Sequence, residues 1–265
     1  MSKVICVLSG KGGTGKTTVT ANLAVSLALL NNETLVIDAD LGLRNMDLAL
    51  GMQDFVMYDV LDVSSGVCMS REAIIVSEKI PNLHLLPASQ FKEAGSITET
   101  QMRNVIDKVT EKYDYILIDC PAGLGETVRS AAAVSDTALI VVNPDPFSVR
   151  DADRVADLAT KCGSAESKLI INRYRTGMIQ SRKMMNLSQI IEEVAVEIIG
   201  AIPEDEAILL SVLNSDPIAY YTDKEQAGYY GDIVKRLTGQ PIPILEIEMK
   251  KKPFWKRRKK RNIGI

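Results

Sequence analysis

Short runs of aliphatic and β-branched residues recur along the chain, with longer, helically spaced segments between them. The runs at 3–9 (KVICVLS), 34–39 (TLVIDA), 83–88 (LHLLPA), 113–119 (YDYILID), 137–143 (TALIVVN), 168–173 (KLIINR) and 196–203 (VEIIGAIP) are nearly continuous in apolar residues. That is the pattern of strands buried on both faces. Helical spacing fills 16–30, 99–112, 125–134, 148–162, 186–195, 205–213 and 224–238. Strand and helix in alternation predict an α/β fold, a doubly wound, mainly parallel sheet flanked by helices. The chain has 265 residues and 46% hydrophobic content, which suits one large domain. No internal repeat is visible. The stretch TGQPIPILEIEM at 238–249, with two prolines, reads as an exit from the domain. The expected organisation is therefore a domain at 1–240, a linker at 241–249 and a tail at 250–265.

Charge changes the picture at the tail. The net charge of -3 hides nine Lys/Arg and no acid in 250–265, which leaves 22 basic against 34 acidic residues in 1–249, a net of -12. An acidic body argues against general nucleic-acid binding, so no nucleic-acid partner is expected. Phe254 and Trp255, the only tryptophan, sit among the tail's cations in KKKPFWKRRKKR. Four dispersed cysteines, Cys6, Cys68, Cys120 and Cys162, form no C-x-x-C pair, give no metal framework and fit a reducing cytosol. His84, the single histidine, reads as structural. The apolar run VICVL leads straight into glycines and lysines and nothing approaches 18 uninterrupted apolar residues, so neither a secretory leader nor a membrane-spanning helix is expected.

Candidate chemistry begins where the first strand ends. In GKGGTGKTT, residues 10–18, Gly10, Gly15, Lys16 and Thr17 satisfy G-x-x-x-x-G-K-[ST], and a helical pattern follows at once. Glycines let backbone N–H groups close around phosphate oxygens, and the helix N-terminus adds partial positive charge. Gly10, Lys11, Gly12, Gly13, Thr14, Gly15, Lys16, Thr17 and Thr18 are thus expected to hold the phosphates of ATP. Lys16 bridges the β- and γ-phosphates in such loops, and Thr17 ligates Mg²⁺. Asp38 and Asp40 end the second strand and Asp119 ends another. Ligands of open α/β sheets bind at those strand ends, so the three carboxylates are expected to converge on the phosphates and their Mg²⁺.

The second lysine, Lys11, makes the loop resemble the deviant Walker A loop of the MinD/ParA group of ATPases. The resemblance continues through DADLGLRNMD (38–47), DCPAG (119–123), FSVRDADR (147–154), INRY (171–174) and IPEDE (202–206), and is nearest the cell-division, site-selecting branch. It implies an ATP-dependent homodimer in which Lys11 reaches the partner's phosphates. It further implies that Asp40 positions the attacking water and that Asp38 and Asp119 hold Mg²⁺ through water. Asn172 then bonds the adenine edge, and Pro203, Glu204 and Asp205 flank the base. Arg44, Asn45 and Asp153 match positions where the family's protein partners dock, a MinC-like division inhibitor and a MinE-like or other topological regulator among them. No histidine or nucleophilic cysteine is placed for chemistry, which suits slow, dimer-gated hydrolysis.

Three other functions share parts of this pattern. A ParA-type DNA-partitioning ATPase needs basic surfaces that the -12 body does not offer. An iron–sulfur carrier needs paired cysteines, which neither Cys68 nor Cys162 provides. A small-molecule kinase needs a second pocket that the sequence neither shows nor excludes. Within the preferred reading, Phe254, Trp255, Lys256, Arg257 and Arg258 form an anchor to an anionic membrane surface. Arg258 and Lys259 interrupt the helical arc of Phe254, Trp255 and Ile265, so attachment leans on charge. The expected location is cytoplasmic and peripheral on the inner face of the cell membrane.

Overall fold

The computed structural model describes residues 2–53, 56–90 and 95–244. The tail residues Phe254, Trp255, Lys256, Arg257 and Arg258, and the linker from 245 on, lie outside the described residues. Within them the strands are β1 (Lys3–Leu8), β2 (Thr34–Asp38), β3 (Ile75–Val76), β4 (Leu83–Leu86), β5 (Tyr115–Asp119), β6 (Thr137–Val142), β7 (Glu166–Tyr174) and β8 (Glu197–Pro203). They make one sheet in the order β3-β4-β2-β5-β1-β6-β7-β8. Every pairing is parallel except β3 with β4. The expected doubly wound, mainly parallel sheet is therefore what forms, with one short antiparallel edge strand added.

The helices are α1 (Lys16–Leu29), α2 (Met46–Leu50), α3 (Val60–Ser65), α4 (Ser70–Ala73), α5 (Glu99–Asp107), α6 (Glu126–Ala133), α7 (Pro146–Cys162), α8 (Thr176–Gln180), α9 (Leu187–Glu193), α10 (Glu206–Leu213) and α11 (Glu225–Leu237). Helix α7 begins two residues before the expected 148. Asp145 caps it, accepting from the N–H groups of Phe147 and Ser148, and Pro146 takes the first turn, where its missing N–H is no loss.

Alternation along the strands divides the core. Val4, Cys6 and Leu8 of β1 join the cluster under α3, α5, α6, α7 and α9. Ile5 and Val7 join the cluster under α1, α2 and α11 on the other face. Each buried aliphatic side chain contributes roughly 1.5–3 kcal/mol, so both faces of the central strands are strongly fixed. The chain leaves β1 through α1 on one face and leaves β6 through α7 on the other. These connections head toward opposite edges of the sheet, which opens a crevice at the carboxyl ends of the strands between them.

Candidate nucleotide site at the carboxyl edge of the sheet

Register builds the site before any side chain is considered. Asp38 of β2 lies directly opposite Asp119 of β5, and Val7 of β1 lies opposite Asp119 from the other side. The loop after Leu8 therefore rises beside both carboxylates. Gly13 and Gly15 have φ of 80 and 88°, values that strain any residue with a Cβ. A Cβ at Gly15 would stand 2.4 Å from Asn172 Nδ2, and one at Gly10 would stand 2.5 Å from Asp151 Cβ. The loop is thus pinned between β7 and α7.

Asp119 is the hub. It accepts from Thr17 Oγ1 at 2.7 Å, and its other oxygen lies 3.3 Å from Lys16 Nζ and 3.0 Å from Thr20 Oγ1. Burial pushes the Lys16 ammonium toward its neutral form, but the Asp119 carboxylate outweighs this and holds its pKa above the usual lysine value. Asp38 is 1% exposed and accepts from the N–H groups of Asp40 and Met46 at 3.0 and 3.1 Å. Burial, and then the neighbouring Asp119 charge, raises its pKa to about 7. Asp40 is half-buried in the cleft. Burial raises its pKa too, against the opposing pull of Lys16.

The three carboxylates thus differ in placement. Asp119 meets the lysine and threonine, Asp38 is engaged by backbone amides, and Asp40 lines the open cleft. Among the described residues no three carboxylate, histidine or cysteine side chains gather tightly enough to hold a cation alone. Thr17, with Asp38 and Asp119 behind it, fits a Mg²⁺ that keeps several waters and takes its remaining oxygens from phosphate.

A cavity of about 360 Å³ lies over the loop from Lys11 to Thr18, closed by Asp40, Asn45 and Ala122. A second, of about 350 Å³, is lined by Asn172, Pro203, Asp205, Ile208 and Tyr230. Gly15, Thr18 and Arg173 border both, so phosphate cradle and apolar slot form one groove. The Thr14 hydroxyl is buried within it and has no hydrogen-bond partner among the described residues. A charged end leading into an apolar slot has the shape and chemistry of a nucleoside triphosphate.

Other expected site residues have structural partners as well. Asn172 is buried and donates from Nδ2 to Thr14 O at 2.8 Å, so its amide braces the loop while its edge borders the slot. Asp205 caps α10 through Ala207 N at 2.7 Å, and Glu204 pairs with Arg175. Lys11 is exposed and forms no ion pair among the described residues. Asn45 and Asp153 are exposed. Arg44 differs from these two in having a partner within the chain. Its Nε lies 2.6 Å from Asp47 Oδ2, with the side chain only 11% exposed. Arg173 was not anticipated. Its φ of 56° sets it at the joint of the two cavities, and the sequence signal was only its place beside Asn172.

A phosphate loop at the switch point of a doubly wound sheet, with its lysine and threonine held on the aspartate of a neighbouring strand, defines a P-loop nucleoside triphosphatase. The family described as AAA domain matches residues 2–170. The septum site-determining protein MinD of Synechocystis sp. is 38% identical over 265 residues, covering 100% of both chains. The MinD chain of the Aquifex aeolicus MinC:MinD cell-division complex superposes with a TM-score of 0.84 at 37% identity, over 92% of this chain and 98% of that one. MinD of Pyrococcus horikoshii, solved with Mg-ADP, gives a TM-score of 0.81 at 32% identity, over 90% and 97%. The chain belongs to the MinD family of septum site-determining ATPases.

Proposed function

We propose that the chain is an ATP-dependent dimerising switch in division-site placement. It attaches to an anionic membrane through its tail, recruits a MinC-like inhibitor and leaves when ATP is hydrolysed. The likeness to the Aquifex aeolicus MinC:MinD complex supports the inhibitor as partner. Among the described residues no helix is long and apolar enough to cross a membrane, which is consistent with attachment by the tail.

The observation that carries this reading is the unequal pair of lysines in one loop. Lys16 is buried against Asp119, whereas Lys11 is exposed and unpaired among the described residues. Lys16 serves the phosphates of its own chain, and Lys11 those of a second copy, where added positive charge stabilises the transition state. Bound Mg²⁺ supplies charge neutralisation at the phosphates. The chain's part is to hold it with Thr17, Asp38 and Asp119, to orient water with Asp40 and to seat the base between Asn172 and the 203–205 loop.

The test compares wild type and Lys11→Ala with ATP, ADP, and vesicles containing or lacking anionic lipid. Wild type should dimerise with ATP, hydrolyse it and pellet with anionic vesicles. Lys11→Ala should stay folded and bind nucleotide, yet lose at least tenfold in turnover and fail to pellet. Unchanged turnover and dimer fraction in Lys11→Ala would remove the cross-subunit role, and pelleting with DNA instead of lipid would favour a partitioning function.

A further inference from the structure

Helix α10 reads EAILLSVL, and Ser211 is its only buried residue. Leu209, Leu210, Val212 and Leu213 are 57, 50, 46 and 70% exposed. A helix apolar on nearly every side is normally buried, and a contiguous apolar surface usually marks a contact. One edge of this helix, Ile208, Leu209 and Val212, lines the base slot. Leu210 and Leu213, three residues apart and so neighbours on one face, are not part of that lining.

We propose that Phe254 and Trp255 of the chain's own tail dock on this face of α10. Three observations on the molecule select that occupant. The first is reach. Gln226 Nε2 donates to Asp205 Oδ2 at 3.0 Å, tying the start of α11 to the start of α10. The 13 residues of α11 rise about 20 Å. At their far end the Arg236 guanidinium donates to the carbonyls of Ile199, Ile242 and Pro243 and fixes where the chain departs. From Ile244 to Phe254 an extended chain spans up to ~33 Å, enough to return along α11 to α10.

The second observation is charge. Asp205 and Glu206 stand at the start of α10 and meet no basic side chain among the described residues, whereas Glu204 pairs with Arg175 there and Asp216, beyond the other end, pairs with Lys79. This acidic end attracts a segment with nine cations, and it repels an anionic leaflet. A second copy of the chain docked through α10 would bring two such ends together. The third is chemistry: the tail pairs two adjacent aromatics with flanking Lys/Arg, matching an apolar face beside the acidic end formed by Asp205 and Glu206.

This inference rests on the reading of the tail as the membrane anchor and adds its control. A docked tail is not free for lipid, so the apparent membrane affinity of one chain is lowered by the fraction docked. Because Leu209 and Val212 also line the base slot, nucleotide and tail act on one helix, and any effect of nucleotide on docking is matched by an equal effect of docking on nucleotide affinity.

Trp255 reports on the docking directly, in lipid-free full-length protein. Its emission should be blue-shifted, and acrylamide quenching should be severalfold weaker than for a peptide of residues 245–265, at every protein concentration. Leu210→Ser/Leu213→Ser should move both readings to the peptide's values while nucleotide binding is retained. Glu206→Lys should move them the same way without touching the apolar face. The Leu variant should also pellet more strongly than wild type with anionic vesicles in the absence of nucleotide. Wild-type Trp255 quenched like the peptide, or unmoved by both variants, overturns the proposal. Protection that grows with protein concentration assigns α10 to a second copy and also overturns it. Shielded Trp255 in a protein that never binds vesicles leaves the docking standing and removes the anchor reading instead.

Discussion

Asp38 shows how much a single residue's surroundings decide. An aspartate in the unfolded chain titrates near ~3.9, whereas buried Asp38 titrates at about 7. Between those values the native state holds a proton that the unfolded state has lost. Stability therefore falls as pH rises from about 4 to about 7 and levels off above. In Mg²⁺-free protein the urea midpoint of wild type should be lower at pH 8 than at pH 5, and Asp38→Asn should flatten the difference. A variant whose midpoint moves with pH as much as wild type would show that other groups set the slope. DADLGLRNMD made both strand-end aspartates legible, but not their unequal burial. That depends on Met46 N reaching back to Asp38 and on Asp119 arriving from a strand some eighty residues away. The ion pair of Arg44 with Asp47, on the same turn, was not legible in the sequence either. Arg173 was missed because a left-handed φ at a strand end leaves no mark on an apolar pattern.

Elements follow the apolar runs closely where burial is two-sided. All seven expected strands form, and the boundaries move by no more than two residues, because a fully buried strand has no polar face to blur its signal. Strand β3 escaped notice because two residues carry no period, and α2, α3, α4 and α8 are only four to six residues long. The packing of α11 on β8 depends on a gap that composition does not reveal. A Cβ at Gly200 would lie 2.3 Å from Ile233 Cγ1, and Ile233 is 1% exposed, so it has little room to yield. Gly200→Ala should cost about 1–3 kcal/mol by overpacking. Gly200→Ala/Ile233→Ala, which removes the opposing γ carbons, should cost less in urea titrations than the sum of the two single changes. Equal stability of Gly200→Ala and wild type would mean that α11 slides freely on the sheet.

At the scale of the whole molecule, charge is divided between a body of net -12 and a tail with nine cations. A single tail should attach weakly, because each Lys/Arg near an anionic leaflet contributes at most about 1 kcal/mol and the body opposes approach. In the proposed ATP-bound dimer two tails would act at high effective concentration, which raises avidity by about 10²–10⁴. Vesicle retention in ATP should therefore fall steeply between 50 and 300 mM salt, and removal of residues 250–265 should abolish it while leaving ATP-driven dimerisation intact. A truncated chain that still pellets would place the membrane contact on the body.

The contact at Gly10 links the loop to helix α7. With no side chain at Gly10, α7 rests on the loop through Asp151, two residues before exposed Asp153. Close-packed groups transmit strain instead of absorbing it. Were a partner to dock near Asp153, the close approach of Asp151 to Gly10 would give that surface a direct packing contact with the phosphate loop.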